Sequence, residues 1–130
     1  MVEVGCELPP LTKSPDRVQL VRYAGASGDF NPIHFDDEYA RSVGLPGVIG
    51  HGMLTMGFAA ELAGQLAGPG GRVEAIGVRF TSMVRPGDTL TIRGTVTAVM
   101  PPDRAEIAIT VSNQRSEQVL NGIARVFLSR

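Results

Sequence analysis

The change of hydrophobic period after residue 67 constrains this 130-residue chain more than any other feature. Residues 52–67 carry Met53, Leu54, Met56, Phe58, Leu62 and Leu66 among Gly57, Ala59, Ala60, Ala63 and Gly64, and are apolar nearly all round. That pattern predicts a buried helix. Each interior glycine costs roughly 1 kcal/mol against alanine, so two of them predict a helix that other backbone approaches closely. Gly68-Pro69-Gly70-Gly71 stops it. Beyond the stop the period becomes two. Leu90, Ile92, Gly94, Val96 and Ala98 alternate with Thr89, Thr91, Arg93, Thr95 and Thr97, and Ala105, Ile107, Ile109 and Val111 repeat the alternation. One-sided, half-buried strands read this way. Residues 73–83 and 119–128 are expected to be strands as well, with turns at Arg85 to Asp88, Pro101 to Asp103 and Asn113 to Ser116. One buried helix followed by consecutive strands that pair mostly antiparallel predicts an α+β fold, with a curved sheet wrapped around a long central helix. A chain of this length supports one hydrophobic core, so residues 1–130 are expected to form a single domain.

Two shorter helices precede the long one. The first is expected to open at Ser14-Pro15-Asp16, with Ser14 as cap and Pro15 at the first helical position, and to end near Gly25 to Gly28. The second opens at Asp36 and stops at Gly44. Between them, Asn31-Pro32 favours a turn or extended backbone, so Ser27 to His34 reads as a loop.

Composition excludes several classes of function. Twelve Lys and Arg against 13 Asp and Glu give a net charge of −1, which argues against a nucleic-acid partner. Cys6 is the one cysteine and cannot form an internal disulfide, and with two histidines it makes a poor structural zinc set, so no metal is expected. Met1 to Pro10 lacks the basic and apolar regions of a signal peptide. A membrane span needs about 20 apolar residues, and the richest stretch is interrupted by Glu61 and Gln65. A soluble protein of a reducing compartment, the cytoplasm, with no membrane partner is expected.

The loop concentrates the reactive groups. Asp29, Asn31 and His34 lie within six residues, and a carboxylate with an imidazole can polarise one water while holding it. An aspartate at its usual pKa of about 3.9 is a weak base unless burial raises it. The same residues also suit a turn-forming Asp-x-Asn-Pro with a surface histidine, and spacing alone favours that reading, because short polar loops are common.

Tyr23-Ala24-Gly25-Ala26-Ser27-Gly28-Asp29-Phe30-Asn31-Pro32-Ile33-His34, followed by Ala40, resembles the loop of the MaoC-type (R)-specific enoyl-CoA hydratases, a hot-dog-fold family. His51-Gly52-Met53-Leu54-Thr55 resembles the start of that family's central helix. Phe80 with Val84-Arg85-Pro86-Gly87-Asp88-Thr89-Leu90 resembles its following strand and turn. The resemblance implies that Asp29 and His34 form a catalytic dyad, with Asn31 orienting the pair or its water. It implies water addition to a trans-2-enoyl thioester, or removal from the (R)-3-hydroxyacyl thioester, without cofactor. The amide of Gly52 at the helix N-terminus would receive the thioester oxyanion, and the missing side chain would let the carbonyl approach. His51 has two readings, substrate binding or bracing of the loop, with bracing the weightier; a charge there is disfavoured by the helix dipole. Tyr23 is either pocket wall or core packing, and packing carries more weight. Scattered arginines such as Arg79 or Arg85 would meet the phosphates of a CoA or acyl-carrier arm. Where some family members carry a serine, this chain has Ala59 and Ala60.

These residues do not separate a CoA-linked hydratase from an acyl-carrier-protein dehydratase. A hot-dog thioesterase, with Glu61 as its acid, is a less favoured alternative, and a non-enzymatic acyl-binding subunit a further one. A small domain with one helix and one curved sheet leaves an edge and an incomplete pocket, so a homodimer is expected, or a heterodimer with a second hot-dog subunit.

Overall fold

The computed structural model describes residues 2–129. In chain order it has strand β1 (Leu11–Lys13), helix α1 (Arg17–Ser27), a 3-10 turn (Pro32–His34), helix α2 (Asp37–Ser42) and helix α3 (Gly52–Ala67), then strands β2 (Arg72–Phe80), β3 (Leu90–Met100), β4 (Arg104–Ser112) and β5 (Gln118–Phe127). The switch of period thus marks the end of α3. Short β1 is the strand that the alternation pattern does not reveal.

All neighbouring strands are antiparallel, in the spatial order β1-β3-β4-β5-β2. β2 pairs with β5 instead of with its successor β3, so residues 81–89 carry the chain back across the sheet. Register shifts at Val73/Ala75, Val96/Ala98 and Val111/Ser112 bend the strands. The bent sheet closes on α3, where Ala59, Leu62 and Ala63 are fully buried against Leu90, Ile92, Ile107 and Leu120. This is the α+β hot-dog arrangement. Residues 5–13 run along the outer edge of β3: Gly5 N–H donates to Val96 O (2.8 Å) and Leu8 N–H to Gly94 O (3.0 Å) before β1 takes over. At the other edge, β2 has β5 as its one strand partner among the described residues.

Two expectations are corrected. Asp16, not Ser14, caps α1: its carboxylate accepts from Gln19 N at 2.8 Å. An anion at the positive end of a helix is favoured over a neutral hydroxyl, and Ser14 Oγ lies instead 3.4 Å from Thr89 Oγ1. The glycines of α3 are not there for close approach, because a Cβ on Gly57 or Gly64 meets nothing within 4 Å. The sheet covers one side of α3 only, and Met53, Gly57, Glu61 and Gln65 form an exposed stripe along the other. Tight approach occurs at Gly94 of β3, where a Cβ would lie 2.5 Å from Ile107 Cδ1 and 2.9 Å from Leu62 Cδ2.

Candidate active site

The loop after α1 is held by its own short side chains. Gly28, with φ of 76°, ends the helix and turns the chain away. Ser27 Oγ then accepts from Asp29 N (3.1 Å), Asp29 Oδ1 from Asn31 N (3.2 Å), and Asn31 Oδ1 from Ile33 N (3.2 Å). Asn31 thereby caps the turn that ends at His34. The turn-forming reading of Asp-x-Asn-Pro is therefore correct for Asp29 Oδ1 and for Asn31, and it leaves Asp29 Oδ2 uncommitted.

Residues 48–50 hold the opposite side. Val48 N–H donates to Asp37 Oδ1 (2.9 Å), Ile49 N–H to Ile33 O (3.0 Å) and Gly50 N–H to Val84 O (2.7 Å). That path brings Ile49 O within 2.8 Å of His34 Nδ1. A carbonyl only accepts, so Nδ1 carries the proton and the neutral ring offers the Nε2 lone pair. His34 Nε2 lies 3.7 Å from Asp29 Oδ2. The gap is too long for a hydrogen bond between them and short enough for one water to span both. The His34 side chain is 9% exposed and that of Asp29 53%, so the site opens on the aspartate side.

His51 lies behind His34. It is 2% exposed, its ring is stacked on that of His34 at 3.7 Å and 22°, and the Tyr23 ring meets it in a T-shaped contact with centroids 4.8 Å apart. His51 Nε2 lies 3.2 Å from Asp29 O, which makes it the donor. Its Nδ1 is buried without a hydrogen-bond partner among the described residues. Burial pushes the His51 pKa down, and the bond to Asp29 O opposes this in part. The ring thus bonds to the main chain of Asp29 and packs on His34.

Gly52 is the first residue of α3, where a backbone N–H has no acceptor within the helix. A Cβ on Gly52 would lie 3.1 Å from the Phe80 ring, so a glycine at this position leaves room for Phe80. A cavity of about 220 Å³ adjoins Gly52, lined in part by Ile49, Thr55, Met83 and Val119. It shares Ser82 and Met83 with a groove of about 430 Å³ that carries the exposed Arg85 together with Arg115. Tyr23 lines a separate groove of about 500 Å³ with Arg22 and Leu54, and Arg79 lies in another, on the sheet.

Asp29, His34 and His51 each place a potential ligand atom within 4.8 Å of the others. His51 Nε2 is committed to Asp29 O, which takes it out of such a donor set while that bond is made. Glu61 is paired with Lys13 Nζ at 2.9 Å, on the exposed stripe of α3. The element that sequence reasoning missed is Ile49 O, which sets the His34 tautomer; a main-chain carbonyl has no side-chain pattern to find.

The MaoC like domain matches residues 7–119 of the chain. The (R)-specific enoyl-CoA hydratase of Rhodospirillum rubrum is 33% identical over 119 residues, which cover 91% of this chain and 83% of that protein. Among solved structures, the (R)-hydratase from A. caviae involved in PHA biosynthesis superposes with a TM-score of 0.92 at 30% identity, covering 98% of each chain. A chain of the ChsH1-ChsH2 complex from Mycobacterium tuberculosis superposes with a TM-score of 0.91 at 25% identity, covering 99% of this chain and 100% of that one.

Proposed function

Since this chain belongs to the MaoC-like domain family, we propose that it is a hydro-lyase adding water reversibly to a trans-2-enoyl-CoA to give the (R)-3-hydroxyacyl-CoA. The observation that carries this reading is the 3.7 Å gap between Asp29 Oδ2 and His34 Nε2, the two atoms of the pair left without another partner among the described residues. A water between two acceptors donates one hydrogen to each and keeps an oxygen lone pair for C3. As the C3–O bond forms, the water loses a proton to the pair and the π electrons move onto the thioester oxygen. The N–H of Gly52 receives that charge; removing such a donor typically costs about 3 kcal/mol of barrier. Collapse of the enolate with a proton delivered to C2 completes the addition. The cavity beside Gly52 takes the acyl group, and the groove carrying Arg85 takes the phosphates of the carrier arm.

The test is hydration of crotonyl-CoA, followed by loss of its enoyl-thioester ultraviolet band. General acid–base groups contribute about 10²–10⁴-fold, so Asp29→Asn should lower kcat by that order with the fold intact. Full activity in Asp29→Asn overturns the reading. A carrier-protein dehydratase has the same chemistry, and faster turnover of crotonyl-carrier protein than of crotonyl-CoA would favour it. The thioesterase alternative is weakened by the Lys13–Glu61 pair. The dyad of one chain is open on the Asp29 side, which supports a homodimer as the working unit. The ChsH1-ChsH2 neighbour is a complex of two differently named chains, and that supports a heterodimer as the alternative. The lone Cys6 is free and exposed, in keeping with a reducing compartment such as the cytoplasm. No helix among the described residues is long and apolar enough to cross a membrane.

A further inference from the structure

We propose that His51 is the positioning residue of the Asp29–His34 pair, an imidazole held in its Nε2–H form that ties the Asp29 main chain and the His34 ring together and so sets the gap between them. The inference rests on the hydratase reading only for its kinetic arm. His51 reaches the two dyad residues through different parts of one ring: Nε2–H donates to Asp29 O, and the ring face covers that of His34. The remaining hydrogen bonds of Asp29 come from within its own loop, from Ser27 and Asn31. The bond from His51 therefore ties the Asp29 end of that loop to the start of α3, as residues 48–50 tie its Ile33–His34 end. His34 is pinned at one edge by Ile49 O, and the stacked ring stops it from swinging about that edge. A ring with one conformer serves catalysis better than one that must be caught in the right pose.

The protonation state of His51 follows from what faces it. Asp29 O from the loop needs a donor, so Nε2 keeps its proton. The other groups against the ring are His34 from the 3-10 turn, Tyr23 from α1 and the Asp29 carboxylate, which lies within 4.8 Å and favours the charged form against the larger effect of burial. A proton on Nδ1 would be buried without an acceptor among the described residues. A second positive charge would also face His34 across the 3.7 Å stack once His34 had taken the proton of water. The proton therefore goes to His34 and not to its neighbour. His51 itself touches no reacting atom.

Two measurements test this. The chain has only two histidines, so long-range nitrogen–proton spectra of the untagged protein resolve both rings. At neutral pH His51 should show the neutral Nε2–H tautomer, and on acidification it should take up a proton only below the ordinary histidine pKa of 6.5. An Nδ1–H tautomer at neutral pH, or a His51 that titrates at or above the ordinary value, overturns the proposal, whether or not crotonyl-CoA is a substrate. The second measurement is the kinetics of three variants. His51→Phe keeps a stacking ring without a donor, His51→Gln keeps a donor without the ring, and His51→Ala has neither. Misplacing reacting groups by about an ångström costs on the order of a hundredfold, so kcat should fall tenfold or more in His51→Ala with KM unchanged, and Phe and Gln should each recover part. Raised KM at wild-type kcat would mean a substrate contact instead, and wild-type kcat in all three would remove the role. If the variants fail to fold, the wild-type spectra still decide. If wild-type protein hydrates no enoyl thioester, the functional reading fails separately.

Discussion

In the Asp29–His34 pair, each side chain has one polar atom held by the main chain and one offered to the gap. The division follows from elementary hydrogen-bond chemistry: an amide must donate, so it takes Asp29 Oδ1, and a carbonyl must accept, so it takes the proton on His34 Nδ1. His51 makes a pH dependence that can be measured without substrate. Burial holds its pKa below the ordinary 6.5, so the unfolded chain takes up a proton there before the folded chain does. Below that value the unfolded state binds more protons, and stability falls as pH falls toward the folded pKa. The urea midpoint of the wild type should therefore drop between about pH 7 and 5, and less steeply in His51→Phe. A wild-type midpoint that is flat over this range would contradict the burial argument. Asp37 acts lower on the scale. Its carboxylate is held below its ordinary 3.8 by Val48 N–H and then by Arg17, against some burial. The stability it contributes is present above that value and is lost as the acid form fills.

The contact between α3 and the sheet depends on which residues lack side chains. Gly94 faces the helix at the point where Leu62 and Ile107 already fill the core. Gly94→Ala should destabilise the fold by about 1–3 kcal/mol through overpacking. Ile107→Val removes the Cδ1 atom nearest the new methyl, so the double variant should recover part of that loss in a double-mutant cycle. Strict additivity in denaturant unfolding would show that the two sites do not meet. The limits of α3, β3, β4 and β5 are legible in the sequence because burial on one side prints its period on the side chains, whereas β2 stops at Phe80, short of the expected end at Met83, where the chain leaves the sheet to cross to β3. The role of each glycine is not legible, since Gly57 on an open helix face and Gly94 against the core look alike in a sequence. The cap of α1 shows the same limit: Ser14 and Asp16 are both good capping types, and which one meets Gln19 N depends on where the chain enters the helix.

Met53, Phe80 and Met83 are 58%, 49% and 47% exposed around Gly52, and β2, which carries Phe80, has one edge without a strand partner among the described residues. Apolar side chains gathered at an unpaired strand edge call for cover. Sedimentation equilibrium should give twice the 13.8 kDa chain mass, and dilution to monomer should reduce crotonyl-CoA hydration. A fully active monomer would contradict both. The sequence was enough to show a long helix followed by a wrapping sheet, and to mark Asp29, Asn31 and His34 as one polar loop. These are local properties, carried by periodicity and by residue type at short spacing. The pairing of β2 with β5, the carbonyl of Ile49 on His34 and the stacking of His51 behind the dyad came from the folded chain. They join residues 15 or more apart through space, and two of them depend on main-chain groups that every residue shares, so no pattern of side chains announces them.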